Sequence, residues 1–246
     1  SATTSCGDVD HDGDVDLLTG EIQHWWAGAG SDEAQLLIND GSGTFTRPGV
    51  EALGLTRELP GERWDKGDMT NTLVDVDADG WLDVFVGSSD YQGTRALLWR
   101  QVEPLRFEAV DPEDFFLHRR SHGVVAADFD RDGAMDLVVG HSRARCGGEC
   151  EPTHQIRMFR GVHRARSLSL DLEGRGGNTH AVGARVRVTA AGTTQTLHVG
   201  SGFGHFGAQE PHRLFAGLGG ACAAEVEVRW PDGTTSEHRM EAGSWR

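Results

Sequence analysis

The chain is short of several things that soluble enzymes and membrane proteins usually have. Only 37% of its 246 residues are hydrophobic, and no apolar run approaches the ~20 residues needed to cross a bilayer as a helix. No stretch sustains the 3.6-residue apolar period of an amphipathic helix. No signal peptide is visible, and the chain begins Ser1-Ala2-Thr3 without Met, which points to a mature or trimmed fragment. An N-x-S/T sequon is absent. So are the H-E-x-x-H pattern of zinc proteases and the G-x-S-x-G elbow of serine hydrolases. Positive charge is scarce: 23 Lys and Arg face 38 Asp and Glu, for a net charge of −15. Nucleic acid is excluded as a partner on that ground, because phosphate binding needs a basic surface.

What the chain has in quantity is glycine, 34 residues, and aspartate in a fixed pattern. Glycine-rich, weakly hydrophobic composition indicates an all-β protein with many turns. The pattern is D-x-D-x-D-G-x-x-D. It occurs three times, at Asp8–Asp16, Asp75–Asp83 and Asp128–Asp136. The copies hold five, four and four of the 38 acidic residues, so much of the acidity belongs to these loops. Carboxylates this close repel one another unless a cation lies among them. Oxygen ligands at positions one, three, five and nine, with a backbone carbonyl at position seven, suit Ca²⁺. The expected ligands are Asp8, Asp10, Asp12, Asp16 and the carbonyl of Asp14 in the first loop. In the second they are Asp75, Asp77, Asp79, Asp83 and the carbonyl of Trp81. In the third they are Asp128, Asp130, Asp132, Asp136 and the carbonyl of Ala134. About three Ca²⁺ ions are expected, with the glycine at position six allowing the sharp turn.

These loops are not EF-hands. Position twelve is Thr19, Val86 and Val139 rather than Glu, and the flanks read as strands rather than helices. Each loop opens into a short apolar run: Val15–Gly20, Leu82–Gly87 and Leu137–Gly140. Further strands are expected at Ala34–Asn39, Thr44–Thr46, Thr72–Val74, Ala96–Arg100, Leu105–Val110, Val124–Ala127 and Gln155–Arg160. Asp40-Gly41-Ser42-Gly43 is a hairpin turn. Residues 47–67 read as irregular. The consecutive apolar positions beside each loop indicate strands covered on both faces. Loop spacings of 67 and 53 residues fit four-stranded units.

The strand–loop–strand unit, with Leu36–Thr46 as its second half, resembles the FG-GAP or VCBS repeat of integrin-type β-propellers. That resemblance implies a calcium loop joining the first two strands of each blade. Closed propellers have about 4–8 blades, and only three units are present. The expectation is therefore a fragment, or a subunit whose open blades are covered by other chains.

After about residue 165 the aspartate runs stop and regular alternation begins. Ser167–Leu172, Ala184–Thr189, Thr194–Val199 and Glu225–Trp230 read as a small antiparallel sheet, with Pro231-Asp232-Gly233 as a turn. Asn178–Val186, Gly200–Gly204, Pro211–Gly219 and Val228–Gly233 are similar to the ASPIC/UnbV domain, which follows VCBS repeats in secreted proteins. Propeller blades over 1–165 and an ASPIC/UnbV-like domain over 166–246 are the expected division.

Other motifs are weaker. Gly202–Gly207 matches G-x-G-x-x-G, but no helix pattern follows, so a glycine-rich loop is expected rather than a dinucleotide site. Cys146 and Cys150 can close a small disulfide loop; with His141 and His154 they could instead hold zinc. Cys6 and Cys222 are left over, and a bridge between the first blade and the tail is one pairing. His24-Trp25-Trp26 either packs between blades or forms a stacking surface for a sugar or protein.

The function expected from this reading is a secreted, calcium-binding, non-enzymatic protein for extracellular binding, adhesion or assembly. Its partners would be an extracellular protein, a glycan or copies of itself. The alternatives are a subunit of an extracellular fibre or tube, and the C-terminal accessory part of a larger propeller enzyme.

Overall fold

The computed structural model describes residues 3–24, 26, 33–57, 65–89, 94–111, 119–143, 156–162, 165–200, 207–209 and 212–243. The first unit comprises β1 (Thr3–Gly7), β2 (Asp16–Gly20), β3 (Ile22–His24), β4 (Gln35–Asn39), β5 (Phe45–Thr46) and a single helical turn, α1 (Val50–Leu53). The second has β6 (Asp65–Gly67), β7 (Asn71–Val74), β8 (Asp83–Val86), β9 (Leu97–Glu103) and β10 (Arg106–Ala109). The third has β11 (Ser121–Ala127), β12 (Asp136–His141) and β13 (Ile156–Phe159). The tail holds β14 (Arg166–Asp171), β15 (Arg185–Ala190), β16 (Thr193–His198), β17 (Gly207–Gln209), β18 (Arg213–Gly219), β19 (Ala223–Arg229) and β20 (Thr235–Glu241).

The protein is all-β, with a partial propeller arrangement. Two blades are four-stranded and antiparallel, in the orders β1-β2-β4-β5 and β7-β8-β9-β10. The third blade differs from the expected four strands. Among the described residues its own strands are β11, β12 and β13, and β17 from the tail pairs in parallel with β11, Val124 opposite Gly207. Gly207, the end of the G-x-G-x-x-G match, therefore enters a strand, and its other residues lie outside the described ones. Residues 47–67 are also not wholly irregular, since α1 packs Val50 and Leu53 into the core and β6 pairs with β3.

Apolar faces hold the blades together. Leu18 and Leu36 of the first blade meet Val84, Val86 and Trp99 of the second. Phe85 and Leu98 on the opposite face of the second meet Val124, Ala126, Leu137 and Val139 of the third. Full burial on both faces is consequently a property of the middle blade alone, where every residue of β8 is buried. The outer blades bury only one face. Val125 and Val138 are half-buried and share a row with exposed Met158, while Leu17 and Leu37 form a half-buried pair on the first blade. Buried amides tie the blades as well. The Asn71 side chain donates to the Leu18 carbonyl at 3.1 Å, and that of Gln101 to the Val9 carbonyl at 3.0 Å.

The tail is two sheets rather than one. β16-β15-β19-β20 packs against the pair β14-β18 around Leu168, Leu170, Val186, Val188, Ala216, Leu218, Val226 and Val228. The inward valines of β15 and β19 alternate with outward Arg and Glu, the period-two pattern that fixes which face is buried. Cys6 and Cys222 are both free and exposed, so the bridge considered between first blade and tail is not formed; Arg166 Nη1 donates to Cys222 Sγ at 3.0 Å instead. Cys146, Cys150 and His154 lie outside the described residues. Trp26 is 67% exposed and stacks on His24 with ring centres 4.8 Å apart, so it does not pack between blades. Among the described residues no helix is long and apolar enough to cross a membrane.

Candidate metal centres

Each aspartate loop joins the first two strands of its blade. All three take the same course. Position six is glycine at φ 96°, 99° and 88° (Gly13, Gly80, Gly133). Position four is also left-handed, at His11, Ala78 and Arg131, with φ 63°, 57° and 61°. Sequence gave no sign of this second kink, because three unrelated side chains occupy it. A non-glycine residue there costs roughly 1–2 kcal/mol, so the surrounding bonds must hold it.

Those bonds come from the aspartates themselves. The position-one carboxylate accepts the glycine N–H across the loop, at 3.3, 3.0 and 2.9 Å for Asp8, Asp75 and Asp128. Asp12, Asp79 and Asp132 at position five accept the N–H of Asp14, Trp81 and Ala134 at 2.8, 2.9 and 3.0 Å. Position nine is fully buried in every copy and works as a latch. One oxygen of Asp16, Asp83 and Asp136 accepts from Val9, Val76 and Phe129 at the loop entrance, at 2.8, 2.9 and 3.0 Å. The other accepts from Asn39, Gln101 and Gly161, in or just past the blade's third strand, at 2.9, 2.8 and 2.8 Å.

The structure brings positions one, three and nine together. Asp8, Asp10 and Asp16, then Asp75, Asp77 and Asp83, then Asp128, Asp130 and Asp136 each place carboxylate oxygens within 4.8 Å of one another. Position five stands outside that group. Asp8 Oδ2, Asp75 Oδ1 and Asp77 Oδ1 are buried and accept no hydrogen bond. An ionised oxygen out of water and without a partner is costly, and a cation is the partner that fits an all-carboxylate donor set.

The loops differ in their compensation. Arg100 contacts Asp77 in the second loop, and Arg160 pairs with Asp130 at 2.6 Å and Asp132 at 2.7 Å in the third. Both arginines sit one residue before the residue that receives the latch, so aligning the repeats on the third strand is the signal that would have found them. Ile38 occupies that place in the first blade. The first two loops also touch, His11 stacking on Trp81 at 3.9 Å.

Burial pushes the acids upward. Asp8 rises to about 6 by desolvation, helped by the charges of Asp12 and Asp10 and opposed by the Gly13 N–H. Asp75 rises to about 8 by desolvation and then by Asp79 and Asp77. Desolvation also raises Asp83 well above the usual carboxylate range. Folding without metal therefore takes up protons between the ordinary carboxylate range and pH ~6–8, and native protein holds more protons than unfolded there. In chelator, stability is expected to fall as pH rises from 4.5 to 8, with the highest melting temperature at the acid end. Saturating Ca²⁺ should abolish that fall, because the ion replaces the protons. Melting curves across this range check it, and a metal-free protein that gains stability toward pH 8 contradicts it.

Residues 75–139 match the FG-GAP-like repeat and residues 174–244 match the ASPIC and UnbV family. The chain is 27% identical to cartilage acidic protein 1 of Homo sapiens over 198 residues, 76% of this chain and 29% of that protein. It is 29% identical to the Mus musculus protein over 188 residues, 72% of this chain and 28% of that one. It thus spans under a third of the length of these relatives. The second and third aspartate loops fall in the first matched region, and the two-sheet tail accounts for the second. The partial propeller thus holds a region that matches the FG-GAP-like repeat, followed by one that matches the ASPIC and UnbV family, and the chain is similar in sequence to part of the cartilage acidic proteins.

Proposed function

We propose that the chain is a secreted, calcium-stabilised, non-enzymatic module for extracellular binding, adhesion or assembly, divided near residue 165 into blades and tail. The buried, unpartnered oxygens of Asp8, Asp75 and Asp77 carry the calcium reading. Three ions would be held by positions one, three, five and nine and by the carbonyls of Asp14, Trp81 and Ala134. Aspartate and carbonyl oxygens without His or Cys favour Ca²⁺ over zinc, and a mostly protein-built cage favours it over Mg²⁺. The ion supplies charge compensation and no step of a reaction. The position-one, position-five and position-nine aspartates are engaged with backbone N–H groups, which suits a structural ion. The name of the similar proteins, cartilage acidic protein, supports an extracellular setting.

Assembly is favoured over simple ligand binding by one observation. The outer face of the third blade carries the row Val125, Val138 and Met158, which has the chemistry of the faces that receive a neighbouring blade elsewhere in the molecule. Further blades of a longer protein, or another copy, would cover it.

Metal analysis of protein desalted from millimolar Ca²⁺ tests the calcium reading. Three equivalents of calcium per chain are expected. No retained divalent ion, or zinc in its place, overturns it.

A further inference from the structure

The tail touches all three aspartate loops, and each loop gives one backbone carbonyl to it. Arg185 Nη2, at the start of β15, donates to the Gly13 carbonyl at 2.7 Å. The Gly219 N–H, at the end of β18, donates to the Ala78 carbonyl at 2.9 Å. Ser167 Oγ, in β14, donates to the Gly133 carbonyl at 2.7 Å. Three strands of one domain thus seat on three separate loops. The fit is close. A β-carbon on the position-six glycine would meet Arg185 Nη2 at 2.8 Å in the first loop, Gln195 Nε2 and the Gly217 carbonyl at 3.1 Å in the second, and Ser167 Oγ at 3.0 Å in the third. At Gly217 of β18, a β-carbon would run into the Asp75 carboxylate and come within 2.5–2.6 Å of Ala78 backbone atoms.

These carbonyls face the tail only while the loops stay curled through positions four and six. The carboxylates beneath them repel one another without a cation. We infer that the tail couples the three calcium sites: it docks on the loop tips when they are filled, and docking in turn holds all three loops closed. This rests on the calcium reading proposed above. The coupling is reciprocal by linkage, so whatever calcium does for docking, docking does for calcium affinity. Calcium binding is then cooperative, although no two ions share a ligand.

Amide hydrogen exchange and calcium titration of the full chain test this, using Ca²⁺ alone as the probe. In wild type, chelation is expected to speed exchange at residues 213–221 and 183–187 by about tenfold or more, while β19 in the tail's own core stays slow. Calcium isotherms should show a Hill coefficient above one. Gly217→Ala wedges a methyl group against the second loop, and Arg185→Ala with Ser167→Ala removes two seats without adding bulk. Should the first variant unfold, the second still decides. Each is expected to bind calcium about tenfold more weakly, with a Hill coefficient near one and fast exchange at 213–221 whether or not calcium is present. Calcium binding with no change in tail exchange overturns the coupling and leaves the calcium reading standing. Wild-type protein that binds no calcium overturns both.

Discussion

Chelating calcium is expected to lower the midpoint of thermal unfolding by roughly 15–30 °C, relative to saturating calcium. The size follows from mass action. An ion present at 100 times its dissociation constant adds about 2.7 kcal/mol to the native state, and three sites each filled to that degree add about 8. For a chain of 150–250 residues each kcal/mol moves the midpoint by about 2–4 °C. Two features of the loops make the native state the tight binder. Asp8, Asp75 and Asp77 keep buried oxygens that accept no hydrogen bond. The left-handed residues at positions four and six hold the carboxylates on one centre. An unfolded chain does neither. Differential scanning calorimetry at pH 7.5 in EDTA and in millimolar Ca²⁺ is the measurement. Superimposable curves would sink the calcium reading, and the same rise with Mg²⁺ would sink its selectivity.

The second large effect separates two aspartates that look alike in the repeat. Asp83→Ala, measured in chelator so that no ion contributes, should destabilise by about 2–6 kcal/mol, since it leaves the Val76 and Gln101 N–H groups without acceptors. Asp79→Ala should cost under about 1 kcal/mol. Asp79 is exposed and caps a single N–H, that of Trp81. Its charge also raises the pKa of Asp75, so its removal relieves part of the local repulsion. Chemical denaturation of the two variants gives the comparison. Equal losses would show that Asp83 does no more for the metal-free fold than Asp79 and is no latch.

The loops were readable because everything that shapes them lies within nine residues. Carboxylates at positions one, three, five and nine and glycine at six dictate a tight oxygen-lined turn wherever the chain goes. The strands beside them were readable for a similar reason: β2, β4, β8, β12, β15 and β19 all fall where apolar runs or alternation place them. Three of the elements not expected from sequence lack such a local signal. β3 and β6 are three-residue strands that exist by pairing with each other, and β17 exists by pairing with β11.

What the sequence determined by itself, then, is an all-β chain with three repeated acidic loops and a compositionally distinct tail. Tertiary structure alone decided how the aspartates divide their work. The latch carboxylates of Asp16, Asp83 and Asp136 reach partners 23, 18 and 25 residues away, at the far end of each blade. It also decided that the middle blade is buried on both faces while its neighbours are not, and that Cys6 and Cys222 stay apart. Above all it decided that the loops, read first as isolated ion sites, form the seat of the tail, through bonds such as that from Arg185 to Gly13, 172 residues apart. The physical reason is common to these cases. A turn's geometry is written in neighbouring residues, whereas a hydrogen-bond partner or a covered face depends on which distant segment folding brings alongside.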